Sequence, residues 1–343
     1  MELGQRKCQV VAIMVDEYIR TGEPVGSKAV AERLGYAVSS ATIRNDMAEL
    51  SALGYLTQPH TSAGRIPTPR AFRLYVDRLM PRCSLSEESC RRIDDVLESA
   101  AADPDRLMGF ASDLLADATG CAAVAATPDQ KGSRVRRIEV LLTGPRSAAV
   151  LLMTDVGGLH SQVCRLDGGV QAQTLSRLSE QLCREFVGEP LSAITPARVQ
   201  SLLLQLLGGH GLLYAPVLTA FAELVHESAE SDIRLSGQLN LLQHPDYQLE
   251  RARSLLSFLS HREQLASMLT AHSGGLCVLI GSESPRPELD GSSIIVTRYS
   301  ISPHQQGTLG LIGPLRMDYA QTIPRLEYVA QTVSRLLTAM FEQ

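Results

Sequence analysis

The stretch from Ser39 to Arg70 constrains the fold of this chain more than any other part of its sequence. It reads SSATIRNDMAELSALGYLTQPHTSAGRIPTPR and combines a serine suited to an N-cap, a helical pattern and a glycine stop at Gly54. The apolar side chains that share one helix face are Ile43, Met47 and Leu50. The stretch therefore predicts a short helix with one buried face, which begins after Ser39 and ends near Leu53.

A basic, turn-rich hairpin is predicted directly after this helix. Two short strands are expected, Tyr55–Gln58 and Arg65–Ile66, with the polar tip PHTSAG between them. Residues 58–76 contain three arginines and no acidic residue. A solvated basic face would explain the arginines but not the small polar tip, whereas contact with nucleic acid explains both.

Further helices are predicted on both sides of this stretch. Apolar residues at helical spacing predict a first helix over residues 5–20, and TGEPVG then forms a turn before a second helix, KAVAERL, which stops at Gly35. A fourth helix begins after Thr68, with Pro69 at its first position. Three helices followed by a hairpin is the order of elements in a winged helix-turn-helix, whose recognition helix enters the major groove of DNA.

Charge is distributed unevenly along the chain. The 343 residues carry a formal net charge of −5, but residues 1–82 hold 11 Lys and Arg against 8 Asp and Glu, a net +3. Residues 83–343 hold 21 against 29, a net −8. The sequence therefore predicts a basic N-terminal module on an acidic body, and a module of that charge suits a polyanion such as DNA.

The remainder of the chain is predicted to form an α+β body. The predicted elements, in order, are helices over 84–120, strands between 121 and 167, helices over 174–229, strands at 276–282, 292–300 and 307–313, and a helix over 320–342. This order predicts a multidomain α+β fold with a largely antiparallel sheet and a helical insertion.

Signals for catalysis, metals, cofactors or membranes are weak in this sequence. The seven cysteines are scattered, no C-x-x-C or metal-like histidine spacing occurs, and GEPVGSK lacks the spacing of a phosphate loop. No run approaches the ~18 apolar residues of a membrane span, and Asp16 and Glu17 interrupt the first apolar stretch. We therefore expect a cytoplasmic protein with no catalytic residue, cofactor, metal site or membrane segment.

Several blocks of the sequence resemble those of the HrcA family, the bacterial heat-inducible transcription repressors. The matching blocks, in chain order, are TGEPVGSK (21–28), SSATIRNDMAEL (39–50), GYLTQPHTSAGRIPT (54–68), GQLNLLQHPDY (237–247), IGSES (280–284) and GTLGLIGPLRMDY (307–319). The resemblance covers nearly the whole chain and is loose only between about residues 125 and 230.

This resemblance implies a dimeric repressor that binds the CIRCE inverted-repeat operator upstream of chaperonin and chaperone operons. It also implies that the chaperonin GroEL supports the active repressor, and that heat relieves repression by engaging the chaperonin with unfolded clients. The implied domains are a winged helix-turn-helix at 1–82, a GAF-like domain at 83–159 and 233–343, and an inserted dimerisation domain at 160–232.

The candidate DNA contacts lie on the outer face of the third helix, in the hairpin and beside them. Arg44 is placed to pair with guanine, Asn45 with adenine and Ala48 with a thymine methyl group. The other candidates on that helix are Ser40, Ala41 and Thr42. Backbone or minor-groove contacts are expected from His60, Thr61, Ser62 and Arg65, and phosphate contacts from Lys28 and Arg70.

Two questions stay open at the level of sequence. The most apolar segment, VQSLLLQLLGGHGLLYAPVLTAFAELV (199–225), either packs inside its own monomer or forms part of an intersubunit core. The function has an alternative as well. The chain could be a ligand-responsive regulator, or an enzyme or sensor whose activity lies in the GAF-like domain.

Overall fold

The computed structural model shows a mixed fold of α helices and antiparallel β sheets, which confirms the predicted α+β class. The residues described are 3–35, 38–60, 63–81, 83–128, 130, 132–155, 158–168, 170–206, 211–230, 232–270, 274–302 and 305–341. Within these ranges, no helix combines the length and the hydrophobicity needed to cross a lipid bilayer.

The helices and strands have the following bounds. The helices are α1 (Gln5–Thr21), α2 (Ser27–Leu34), α3 (Ser40–Ala52), α4 (Pro69–Leu74), α5 (Glu87–Glu98), α6 (Pro104–Thr119), α7 (Ala172–Phe186), α8 (Pro196–Leu206), α9 (Gly211–Ala229), α10 (Gln238–Gln243), α11 (Leu249–Ser260), α12 (Arg262–Thr270) and α13 (Tyr319–Phe341). The strands are β1 (Leu56–Thr57), β2 (Ile66–Pro67), β3 (Ala122–Ala126), β4 (Val135–Gly144), β5 (Ser147–Thr154), β6 (Leu159–Arg165), β7 (Ile233–Ser236), β8 (Cys277–Ile280), β9 (Ser292–Ser302) and β10 (Gln305–Pro314). A π-helical turn, Tyr75–Leu79, continues α4.

The first three helices pack through the residues that helical periodicity marks as apolar. Met14 of α1 and Ile43 of α3 are fully buried, and Met47 of α3 is almost fully buried. All three belong to one apolar cluster. Helix α1 ends at Gly22, whose φ of 71° lies in the left-handed region that favours glycine. The hairpin β1–β2 follows α3, so the element order is that predicted for a winged helix-turn-helix.

The chain divides into two compact units. Unit 1 comprises Met1–Ala126 and Ile233–Met340, and unit 2 is built from Thr127–Asp232. Unit 1 contains an antiparallel sheet in the order β7-β3-β10-β9-β8. Strand β3, AAVAA, is buried along its whole length, because α6 and α13 cover one face of the sheet and α10, α11 and α12 cover the other.

The N-terminal segment, residues 3–81, shares its apolar core with this five-stranded sheet. The ring centroid of Phe72 lies 6.1 Å from that of Tyr319 at the start of α13 and 6.4 Å from that of Tyr18 in α1. Leu311 of β10 and Ile43 of α3 belong to the same cluster. The boundary expected after residue 82 therefore does not separate compact units, because apolar side chains on both sides of it are buried together.

Unit 2 is a three-stranded antiparallel sheet, β4-β5-β6, with helices packed on one face. Its own apolar core includes Leu178 and Phe186 of α7 and Phe221 of α9. Unit 2 begins at residue 127, whereas the insertion was expected to start at residue 160. The reason is that β4 and β5, which were assigned to the GAF-like part, pair with β6 and not with the five-stranded sheet.

Candidate nucleic-acid interface

The exposed face of α3 is defined by its N-cap and by its buried side. The Oγ of Ser39 accepts a 3.1 Å hydrogen bond from the backbone N–H of Thr42, so the predicted N-cap is present. Because Ile43, Met47 and Leu50 point into the core, the opposite side of the helix faces solvent. The candidate residues at the surface are Ser40, Ala41, Arg44, Asn45 and Ala48, with Thr42 half-buried.

Arg44 and Asn45 give this face two side chains that can read bases. A guanidinium pairs with the two acceptors of guanine in the major groove, and a carboxamide pairs with the acceptor and donor of adenine. Both side chains are exposed and lie in the N-terminal half of α3, the part of a recognition helix that usually reaches base edges. Ala48 lies one turn after Arg44, and its small side chain leaves room for close approach.

The two acidic residues of α3 are paired with cations of α1. The Nε and Nη2 of Arg6 lie 2.7 Å and 3.0 Å from the carboxylate oxygens of Asp46, which is buried. Lys7 forms an ion pair with Glu49 one turn further on. These pairs offset negative charge that would otherwise repel DNA phosphates. These pairs were not predicted from the sequence, where the residues QRK of α1 and the two acids of α3 were the available signal.

The hairpin carries His60 at an exposed position. Leu56 pairs with Pro67 and Thr57 with Ile66, and the Gln58 side chain donates a 3.0 Å hydrogen bond to the Ala63 carbonyl. The Ala63 N–H in turn donates to the His60 carbonyl at 2.9 Å. These bonds hold Gln58 and His60 close to Ala63 across the hairpin. The predicted contacts Thr61 and Ser62 lie outside the described residues.

Arg65 anchors the hairpin to the helices. Its backbone N–H and C=O exchange hydrogen bonds of 3.0 Å and 2.9 Å with Val25, in the turn between α1 and α2. Its guanidinium donates to the hydroxyl of Ser51 near the end of α3. A Cβ on Gly64 would lie 2.6 Å from the Val25 backbone, so the close approach of the two chains requires glycine there. Arg65 therefore has a structural role that the sequence did not indicate.

Arg70 also serves the C-terminal end of α3. Its Nη1 donates a 2.8 Å hydrogen bond to the Leu53 carbonyl, and its guanidinium carbon lies 4.6 Å from the ring centroid of Tyr55. A cation at this end of a helix satisfies an unpaired carbonyl and suits the helix dipole. Lys28, by contrast, is exposed on the first turn of α2. Both predicted phosphate contacts are exposed, and Arg70 is in addition bonded to the end of α3.

The third arginine of the basic segment, Arg73, is half-buried and pairs with acidic side chains of the same chain. It forms ion pairs with Glu283, of the IGSES block, and with Asp77. The hydrogen bond from Arg73 lowers the pKa of the Glu283 carboxyl, and the smaller effect of burial opposes this. Nearby, the Tyr75 hydroxyl donates to Asp16, and burial together with this bond raises the pKa of Tyr75. The basic segment is thus partly a docking surface within the chain.

This chain is similar to known proteins along most of its length. The model of the HrcA protein C-terminal domain matches residues 105–323. The chain belongs to the HrcA family. The heat-inducible transcription repressor HrcA of Desulforudis audaxviator is 34% identical over 99% of this chain and 100% of its own length. That of Geobacter sulfurreducens is 33% identical over 98% of each chain.

A solved structure shares the fold of this HrcA-family chain. A crystal structure described as that of a hypothetical protein superposes with a TM-score of 0.70, at 24% identity, over 98% of this chain and 99% of the other. The named relatives are repressors, so the family's role is negative regulation of transcription and not catalysis.

Two of the later HrcA-like blocks meet beside α1. The Nε of Arg316, from GTLGLIGPLRMDY, lies 2.9 Å and 2.7 Å from the two carboxylate oxygens of Asp246, from GQLNLLQHPDY. The Nη1 of Arg316 donates a 3.3 Å hydrogen bond to the Ile19 carbonyl of α1. A Cβ on Gly22 would lie 3.0 Å from this guanidinium, so glycine makes room for it. The sequence analysis recognised these blocks but assigned no role to Arg316 or Asp246.

Proposed function

We propose that this chain is a sequence-specific DNA-binding repressor that acts in the cytoplasm, where bacterial operator DNA lies. Helices α2 and α3 form its helix-turn-helix, and β1–β2 forms its wing. The observation that carries the proposal is the composition of the exposed face of α3. Arg44 and Asn45 face solvent there, while the acids Asp46 and Glu49 are held by cations of α1.

The family membership supports a finer proposal for the operator and the signal. We propose that the operator is the CIRCE inverted repeat of chaperonin and chaperone operons, and that heat relieves repression through the chaperonin GroEL. The body of unit 1 is then the GAF-like domain, and unit 2 is the inserted dimerisation domain. Two copies of α3 on a dimer would match the two-fold symmetry of an inverted repeat.

We propose that the dimer contact lies on the sheet of unit 2 and not on the helices of the segment 199–225. Val217, Phe221 and Leu224 of the apolar segment 199–225 are buried in the core of their own unit, whereas Leu204 of that segment is 66% exposed. The outer face of β4-β5-β6 carries apolar side chains at the surface instead: Leu141, Met153, Leu159 and Val163. Leu159 and Val163 are 64% and 68% exposed, and such a face suits a second copy of the same sheet.

DNase footprinting on the source organism's own chaperonin promoters tests the proposed function. The full-length protein is expected to protect an inverted repeat, and a variant with both Arg44→Ala and Asn45→Ala is expected to lose that protection. Arg91→Ala is the matched control, because Arg91 is an exposed arginine of α5 outside the N-terminal segment. Equal footprints for wild type and the double variant, or no preference for any promoter site, would refute the assignment.

A further inference from the structure

The exposed face of α3, which carries Arg44 and Asn45, is bordered by a different part of the protein on each side. Glu49 lies one turn after Asn45, so it marks the Asn45 side of the helix. Ser51 lies two turns after Arg44 and marks the Arg44 side. Glu49 pairs with Lys7 of α1, whereas Ser51 accepts a hydrogen bond from Arg65 of the hairpin. Helix α3 is therefore flanked by the start of α1 on one side and by the wing on the other.

This arrangement has a consequence for a helix in the major groove. The groove is about 12 Å wide and is bordered by one phosphate backbone on each side. We expect the wing to contact the DNA phosphate backbone on the Arg44 side. The backbone on the Asn45 side must pass near the first turn of α1, which carries Arg6 and Lys7.

Arg6 has the features of a positioned phosphate contact. Its side chain is 48% exposed, whereas the side chain of Asp46 is 5% exposed. Two nitrogens of its guanidinium contact the two oxygens of Asp46, which fixes the plane of the group while leaving about half of the side chain in solvent. Lys7 is less exposed, at 27%.

We infer that Arg6 binds a DNA phosphate on the Asn45 side of the recognition helix, and that Asp46 holds its guanidinium in position. This inference rests on the proposed function. It adds a contact from α1 to those expected from α3, the wing and Lys28. The contact carries no base information, because every phosphate offers the same oxygens.

A double variant separates this role from simple charge compensation of Asp46. Replacing both partners of a buried ion pair is often tolerated, whereas removing one leaves an unpaired charge. In the variant with Arg6→Gln and Asp46→Asn the net charge is unchanged. If Arg6 only compensated Asp46, this variant would bind operator DNA as the wild type does. If Arg6 binds phosphate, binding weakens for all sequences and the slope of log K against log salt shrinks by about one.

The experiment measures operator binding by fluorescence anisotropy at several salt concentrations, with circular dichroism to verify folding. The expected result is a flatter salt slope with unchanged base preference for the double variant. The matched control is Arg91→Gln with Glu87→Gln, an exposed pair of α5 that undergoes the same charge change. Arg6→Lys, which keeps the charge, is expected to retain most of the salt slope.

A double variant with the wild-type affinity and the wild-type slope of log K against log salt would overturn the inference. An Arg6→Lys protein whose salt slope shrinks by about one would overturn it as well. Failure of the proposed function looks different. In that case the wild-type protein itself would show no operator preference, and Arg44→Ala would change nothing.

Discussion

Arg316 and Asp246 form an ion pair next to the end of α1, although 70 residues separate them in sequence. Arg316 is only 12% exposed, and the same guanidinium bonds the Ile19 carbonyl. One arginine therefore links the body of unit 1 to the N-terminal segment. Its bonds to Asp246 lie within the body, and its bond to the Ile19 carbonyl reaches the N-terminal segment.

Arg316→Ala is expected to lower the free energy of unfolding by about 1–3 kcal/mol, because Asp246 and the Ile19 carbonyl would lose a charged partner in a mostly buried place. Chemical denaturation followed by circular dichroism measures the change. Arg335→Ala is the control, since Arg335 of α13 is 56% exposed and forms ion pairs with Asp94 and Glu98 of α5. An equal effect of the two substitutions would show that the link contributes nothing beyond a surface charge.

Arg44→Ala and Lys28→Ala are expected to weaken DNA binding in different ways. Loss of Arg44 should remove about 1–3 kcal/mol of discrimination at one base pair per half-site. Loss of Lys28 should weaken all sequences equally and reduce the salt slope by about one. Binding measured on operators with single base changes separates the two effects. An unchanged base preference in Arg44→Ala would mean that another residue reads that position.

Met47→Asp is expected to unfold the N-terminal segment, because Met47 is 3% exposed and a carboxylate there would be buried without a partner. Ala48→Asp is the control at the next residue, which is exposed. That variant should fold normally and lose DNA binding through charge repulsion alone. Circular dichroism and operator binding distinguish these outcomes, and a folded, DNA-binding Met47→Asp protein would contradict the orientation of α3.

The double substitution Leu159→Lys and Val163→Lys is expected to convert a dimer into a folded monomer, because it places charge on the apolar outer face of β6. Sedimentation velocity measures the change in mass. Leu249→Lys is the control, since Leu249 is 81% exposed on α11 in the other unit. A variant that stays dimeric with both lysines would place the subunit contact elsewhere.

The contact between Glu283 and Arg73 is expected to make stability depend on acid pH. The pKa of Glu283 in the folded chain lies below its ordinary value of 4.5, so the folded state is favoured where the carboxylate is charged. This stabilisation is full above the ordinary pKa and is lost as pH falls through the folded pKa. The difference in unfolding free energy between wild type and Glu283→Gln should shrink below about pH 4.5. A constant difference down to pH 3 would argue against the depressed pKa.

Local patterns in the sequence were sufficient for α3 but not for what surrounds it. The inward positions of Ile43, Met47 and Leu50 follow from the 3.6-residue period, and the cap at Ser39 follows from local hydrogen bonding. The partners Arg6 and Asp46 are 40 residues apart, and no local period connects them.

The same limit applies to contacts of two predicted DNA-binding residues and to the start of unit 2. Arg65 and Arg70 were expected to contact DNA because they lie in a basic segment. Their guanidinium groups also donate hydrogen bonds to Ser51 and Leu53 at the end of α3. The start of unit 2 at residue 127 could not be predicted, because alternation within β4 shows that one face is buried without showing which sheet the strand joins.

The packing of Phe72 against Tyr319 has a consequence for how this chain responds to temperature. Because the N-terminal segment and the five-stranded sheet bury one continuous core, we expect them to melt in a single cooperative transition. DNA binding would then be lost over the same few degrees as the sheet, with the steepness of a whole unit and not of a small helical module. A cavity made in β9 or β10, far from any base, would lower the temperature at which the operator is released.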